Sequence, residues 1–194
     1  MSFVLASGSA SRRAILQNAG LVFDTDPADV DEDALKHGHD GDLSALALRL
    51  AEAKALAVSA RRPGELVIGA DQVLDFQGRL FDKAKSVREA EERLKMLRGQ
   101  VHWLKGGIAA ARDGVIVWRH ACESRMAMRD FSDDFLAGYM LAAGEILTKG
   151  VGAYAYEGLG AQLFDSVEGD FYAVLGLPLL PVLTMLREQG AVSR

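Results

Sequence analysis

From Val101 to Met128 the hydrophobic period is two, and no other feature constrains the fold more, because such side chains alternate between the faces of an extended strand. Trp103 to Ala111 and Val115 to Arg119 flank Arg112-Asp113-Gly114, a hairpin signal, and Ser124, Met126 and Met128 alternate with Arg125, Ala127 and Arg129. The stretch reads as an antiparallel meander. Leu66-Val67-Ile68 is instead a continuous apolar run, suited to a strand buried on both faces. Helical spacing or capping marks Arg12 to Asn18, Leu43 to Ala60, Val87 to Leu97 behind Ser86 and Glu89, a helix from Ser132 or Asp133 to Leu141, and a closing helix after Pro178. Leu21-Val22-Phe23, Phe164 to Val167 and Tyr172 to Leu175 read as short strands. No repeat and no Pro-rich break interrupts the 194 residues, which are taken as one domain.

With 49% hydrophobic residues the chain can bury about 70% of its unfolded surface. A net charge of −5 excludes the broad basic face that a general nucleic-acid or membrane binder needs, so a polyanionic ligand must meet clustered cations or a metal. The lone Cys122 excludes an internal disulfide framework and fits a reducing compartment. The run Phe3 to Ala6 is too short for a signal peptide, and no stretch reaches the roughly 20 apolar residues of a membrane span. The expectation is a cytoplasmic protein.

Leu5-Ala6-Ser7-Gly8-Ser9-Ala10-Ser11-Arg12-Arg13 reads as strand, tight loop and helix start. Gly8 permits close backbone approach, serines cap the first amides, and the helix dipole with two guanidiniums favours an anion. The same residues would also make an N-capped surface helix with two solvated arginines. Downstream lies an acidic loop, Asp24 to Asp33, in which Asp31 and Glu32 stand out, since carboxylates near a phosphate cradle call for a divalent cation between them. His37 and His39 lack further ligands in sequence and read as a polar loop. Lys54 sits on an Ala-rich helix and would ordinarily snorkel. Asp71, placed at the end of the buried strand, needs a paired charge, a metal or a proton-transfer task. Gln77-Gly78 forms a hairpin turn that would return Lys83 towards Asp71. Gly150 to Gly160 is a second glycine-rich loop, too irregular for a dinucleotide fingerprint.

Taken together, Leu5-Ala6-Ser7-Gly8-Ser9-x-x-Arg12, Gly69-Ala70-Asp71-Gln72, Gly152-Ala153-Tyr154, Glu157-Gly158-Leu159-Gly160, Glu168-Gly169-Asp170 and Gly176-Leu177-Pro178-Leu179 resemble the Maf family, over about Leu5 to Leu186. The resemblance implies an α/β fold with a mixed central sheet between two lobes, flanked by helices and similar to inosine triphosphatase. It implies hydrolysis of nucleoside triphosphates between the α and β phosphates, with a divalent cation, Mg or Mn. Carried over by position, phosphate binding falls on Ser7, Ser9 and Arg12, with Arg13 beside them. Catalytic lysines fall on Lys54 and Lys83, the proton acceptor on Asp71, and the metal ligands on Asp71 and Glu32. Gln72 and Glu157 stand where pyrimidine-selective members have Thr and Gln, and they are the usual pair in the branch resembling 7-methylguanosine triphosphate pyrophosphatases. The chain departs from the family pattern at Ala10, where proline is common, and at Asp82-Lys83-Ala84 in place of Gly-Lys-Pro. Lys149 is one residue out of step with a family lysine and stays outside the site. The expected partner is the nucleotide, with no nucleic acid and no membrane, and a homodimer is left open. The alternative is a nucleotide-binding regulator of cell division without turnover.

Overall fold

The structure, a computed structural model, describes residues 2–37, 39 and 41–193. Among them are seven strands in one mixed sheet and seven α-helices. The strand order is β2 (Phe23–Thr25), β1 (Phe3–Leu5), β3 (Leu66–Phe76), β5 (Val101–Arg112), β6 (Val115–Met128), β7 (Phe164–Glu168), with β4 (Arg79–Phe81) paired to β3. Strand β1 runs parallel to both β2 and β3, whereas β4 on β3 and β7 on β6 are antiparallel.

The chain forms two compact units. The first comprises Met1–Gln72, Lys105–Cys122 and Phe171–Arg194; the second comprises Val73–Leu104 and Glu123–Asp170.

In the first unit the sheet is covered on both faces, as the run Leu66-Val67-Ile68 requires. On one side Phe3, Leu5, Ile68 and Ala70 pack with Ile15 and Leu16 of α1 (Ala10–Asn18) and with Val182, Met185 and Leu186 of α7 (Leu179–Glu188). Facing the other way, Val4, Ala6 and Val67 meet Val58 of α3 (Leu43–Ser59). Small residues let α3 lie close: Ala51 and Ala55 pack on Ala109 and Ala111. A Cβ added to Gly69 would collide with the backbone of Ala51 and Ala55, and one added to Gly107 with that of Ala47.

In the second unit Ser86 caps α4 (Val87–Leu97) and Ser132 caps α5 (Asp133–Ala143), each accepting from the amide three residues on. Two hairpin turns form where the sequence marks them. Gln77 and Gly78 (φ 55° and 77°) connect β3 to β4, and Asp113 and Gly114 (φ 52° and 76°) connect β5 to β6 in the first unit. Ser124, Met126 and Met128 are buried as the alternation demands.

Three expectations about strands shift. Strand β3 continues to Phe76, so Asp71 lies mid-strand rather than at its end. Strand β2 begins at Phe23, leaving Val22 exposed, because the parallel register stacks Phe23 on Phe3 at 5.4 Å. Tyr172 to Leu175, expected extended, lies largely in α6 (Phe171–Val174). A four-residue apolar run fits a helical turn and a buried strand equally, and Gly176, at φ 101°, ends it.

Candidate functional site

The opening motif builds the first half of the site. The Ser9 hydroxyl accepts from the Arg12 amide at 3.4 Å and caps α1, while the buried Ser7 hydroxyl accepts from the Ser9 amide at 3.2 Å. Arg12 is only 9% exposed and works inward. Its Nε donates to the Gly176 carbonyl at 2.9 Å, and Nη1 donates to the Ala70 carbonyl at 2.8 Å and to the Ser7 hydroxyl at 3.2 Å. One guanidinium therefore ties the loop after β1 to the middle of β3 and to the turn before α7. Burial pulls Arg12 below the usual arginine range, and the charges of Asp71 and Glu32 push the other way. Arg13, one helical position on, is exposed, as the roughly 100° step between successive helical residues requires.

The second half centres on Lys54. Helix α3 carries it over the sheet, where its Nζ lies 2.5 Å from Asp71 Oδ1 and 2.8 Å from Glu32 Oε1. Asp71 is 8% exposed, so the neutralising ammonium is what makes its burial tolerable. Glu32 opens α2 (Glu32–His37) within the stretch expected as an acidic loop. Burial would raise its pKa, but Lys54 and Lys36 outweigh that and hold it below the ordinary glutamate range. Sequence reasoning missed Lys36, whose Nζ reaches Glu32 Oε2 at 3.3 Å. The signal was present as an i,i+4 Glu-Lys spacing, hidden because the segment read as loop.

Two other acids of that stretch make local or tertiary ties. Asp31 accepts from the Ala34 amide at 2.9 Å, and Asp26 holds both Arg61 and Arg62. His37 and His39 engage the backbone carbonyls of Asp33 and Asp42. Among the described residues no group of three His, Cys, Asp or Glu side chains converges as a metal cage. Two carboxylates do converge on one point cation, at Lys54, and that donor set fits Mg²⁺, which binds through one or two carboxylates and completes its shell with water and phosphate oxygens.

Gln72 is half-buried, and its amide nitrogen donates to the carbonyls of Ala173 at 2.9 Å and Val174 at 3.3 Å. Its carbonyl oxygen is what it can offer a ligand. Lys83 and Glu157 belong to the second unit and are both exposed, Lys83 between β4 and α4 and Glu157 in the glycine-rich loop.

These features define a class: an α/β protein with a serine-capped, arginine-bearing turn after its first parallel strand and a lysine-clamped aspartate within another. The chain belongs to the Maf family, whose model, described as "Maf-like protein", matches residues 2–189. It is 49% identical over 190 residues to a "Nucleoside triphosphate pyrophosphatase" of Paramagnetospirillum magneticum, covering 96% of this chain and 98% of that protein. A protein of the same name from Maricaulis maris is 48% identical over 194 residues, covering 99% and 98%. A "7-methyl-GTP pyrophosphatase" of Rhizobium etli is 43% identical over 195 residues, covering 98% and 97%.

Proposed function

We propose that the chain hydrolyses nucleoside triphosphates between the α and β phosphates, releasing a nucleoside monophosphate and pyrophosphate. The observation that carries this reading is the convergence of Asp71, Glu32 and Lys54 beside the Ser7–Arg12 turn, in a family whose relatives of nearly equal length are named as pyrophosphatases. A hydrolysis of this kind needs a base for the attacking water and positive charge for the phosphates. Asp71 is the proton acceptor, held in place by Lys54. The first amides of α1, with Ser7 and Ser9, take phosphate oxygens, as helix N-termini do. Arg12 supplies a fixed positive charge and its remaining arm, Nη2, and Arg13 an exposed one; Lys83 is assigned to phosphate by the family pattern alone. Asp71 and Glu32 would hold the divalent cation, which when bound neutralises phosphate charge.

Base choice rests on Gln72 and Glu157. A carboxylate accepts from the N1–H and amino group of guanine, whereas uracil and thymine present carbonyls that repel it. The proposal is therefore a preference for guanine-type triphosphates, including 7-methylated ones whose positive charge adds attraction. A free nucleotide pool as substrate is what supports a cytoplasmic location for the enzyme. Among the described residues no helix is long and apolar enough to cross a membrane.

The test is pyrophosphate release from 7-methylguanosine triphosphate, GTP, ATP, UTP and TTP with Mg²⁺ or Mn²⁺. Release from the guanine nucleotides that fails in Asp71→Asn supports the reading. Tight nucleotide binding with no release in the wild type would leave a regulator without turnover.

A further inference from the structure

Arg93, on α4 of the second unit, is 4% exposed, and most of its contacts reach beyond its own helix. Its Nη1 donates to two backbone carbonyls, that of Asp82 and, at 2.5 Å, that of Val151. Nη2 donates to Glu89 Oε1 at 3.0 Å, and the guanidinium lies over the Phe81 ring, 5.4 Å from its centroid. Burying a guanidinium is costly unless its donors are answered, so the two carbonyls and the carboxylate are what hold it there.

Asp82 immediately precedes Lys83, and its carbonyl belongs to the same peptide plane as the Lys83 amide. Val151 is the second residue of the glycine-rich loop Gly150 to Gly160, which carries Glu157. Neither stretch is held by a strand ladder: residues 82–84 have no regular structure, and residues 151–158 consist largely of turns and bends. A planar fork can fix two carbonyls and a carboxylate at once, which a lysine's point charge cannot do with the same geometry.

We propose that Arg93 is a positioning residue, clamping the Lys83 segment to the glycine-rich loop so that the phosphate-binding lysine and the base-reading carboxylate of this unit keep a fixed spacing. The inference rests on the pyrophosphatase reading for the roles of Lys83 and Glu157, while the clamp itself rests on the contacts of Arg93.

The test uses the full chain with Arg93→Lys, Lys83→Ala and the double variant, measuring kcat and KM for GTP with Mg²⁺ and amide hydrogen exchange. Exchange should quicken in residues 82–85 and 151–157 of Arg93→Lys while the core of α4 stays protected. kcat/KM should fall about 10- to 100-fold, as small misplacements of positioned groups do. In the Lys83→Ala background the same substitution should cost less than about threefold, because residues that act through one another are not additive. An equal loss in both backgrounds, or unchanged exchange in the two segments, overturns the proposal. If Arg93→Lys does not fold, Glu89→Gln loosens the clamp more mildly and enters the same cycle with the same expectations. A wild type that releases no pyrophosphate would fail the functional reading, while the exchange result still judges the clamp.

Discussion

Asp71 and Arg12 are both buried charges, yet their surroundings assign them different work. Asp71 faces Lys54 at 2.5 Å, while Arg12 spends its Nε and Nη1 donors on Gly176, Ala70 and Ser7. Asp71→Asn should keep the fold, since Glu32 still answers Lys54 at 2.8 Å, and lower turnover by about 10²- to 10⁴-fold. Circular dichroism with steady-state pyrophosphate release checks both halves. Arg12→Ala should cost about 3 kcal/mol of stability by orphaning buried acceptors, whereas Arg13→Ala should stay within about 0.5 kcal/mol. Urea titration of the two variants decides, and equal losses would contradict the buried tie. Glu32 adds a pH signature. Its folded pKa lies below the ordinary glutamate value, so its contribution is present above that ordinary value and is lost as pH falls through the depressed one. Thermal melts of Glu32→Gln should therefore lose part of the acid-range decline seen in the wild type. At this scale the sequence exposes Asp71, because an acid next to Leu66-Val67-Ile68 and Gly69-Ala70 has to be explained. It does not expose the inward turn of Arg12, whose partners are backbone carbonyls from Ala70 and Gly176, far along the chain and without a residue signature.

Helix α3 is the element that brings the site together, and glycines let it. Gly69 and Gly107 leave room for α3 backbone where a methyl group would strike Ala51, Ala55 and Ala47. Gly69→Ala should destabilise by about 3 kcal/mol and, because α3 carries Lys54, should also reduce turnover in the fraction that remains folded. Gly138→Ala is the contrast: on α5 the added methyl meets nothing within 4 Å, so stability should rise by about 0.5–1 kcal/mol. Differential scanning calorimetry of the two variants gives opposite signs if the packing argument holds. Elements with a local cause, such as the Ser86 and Ser132 caps and the Gln77-Gly78 and Asp113-Gly114 turns, are readable from the chain alone. Helix α6 and the start of β2 are not, since Tyr172 to Leu175 carries no period and the register of Phe23 is set by Phe3 across the sheet.

Across the molecule, the division into two units leaves no mark in composition because three of its four crossings fall inside strands, at Gln72–Val73, Leu104–Lys105 and Cys122–Glu123. No linker exists there for a sequence to advertise. Global stability should carry one further pH dependence. His102 is fully buried, shares a 2.7 Å hydrogen bond with Tyr154, and has its pKa pushed down by burial to about 4. The unfolded imidazole takes up its proton near the ordinary value of 6.5, before the buried one does. Stability should therefore fall as pH drops from the ordinary value towards the buried one, and His102→Gln should flatten that slope in urea titrations repeated across the interval. The reaction itself turns on which phosphorus is attacked, because clustered cations beside a strand aspartate would serve attack at the α or at the γ position. Hydrolysis of GTP in ¹⁸O-enriched water, followed by mass spectrometry of the products, separates the two. Attack at the α phosphorus leaves one label in the nucleoside monophosphate and the pyrophosphate unlabelled; orthophosphate with a nucleoside diphosphate, or label entering the pyrophosphate, would rule it out.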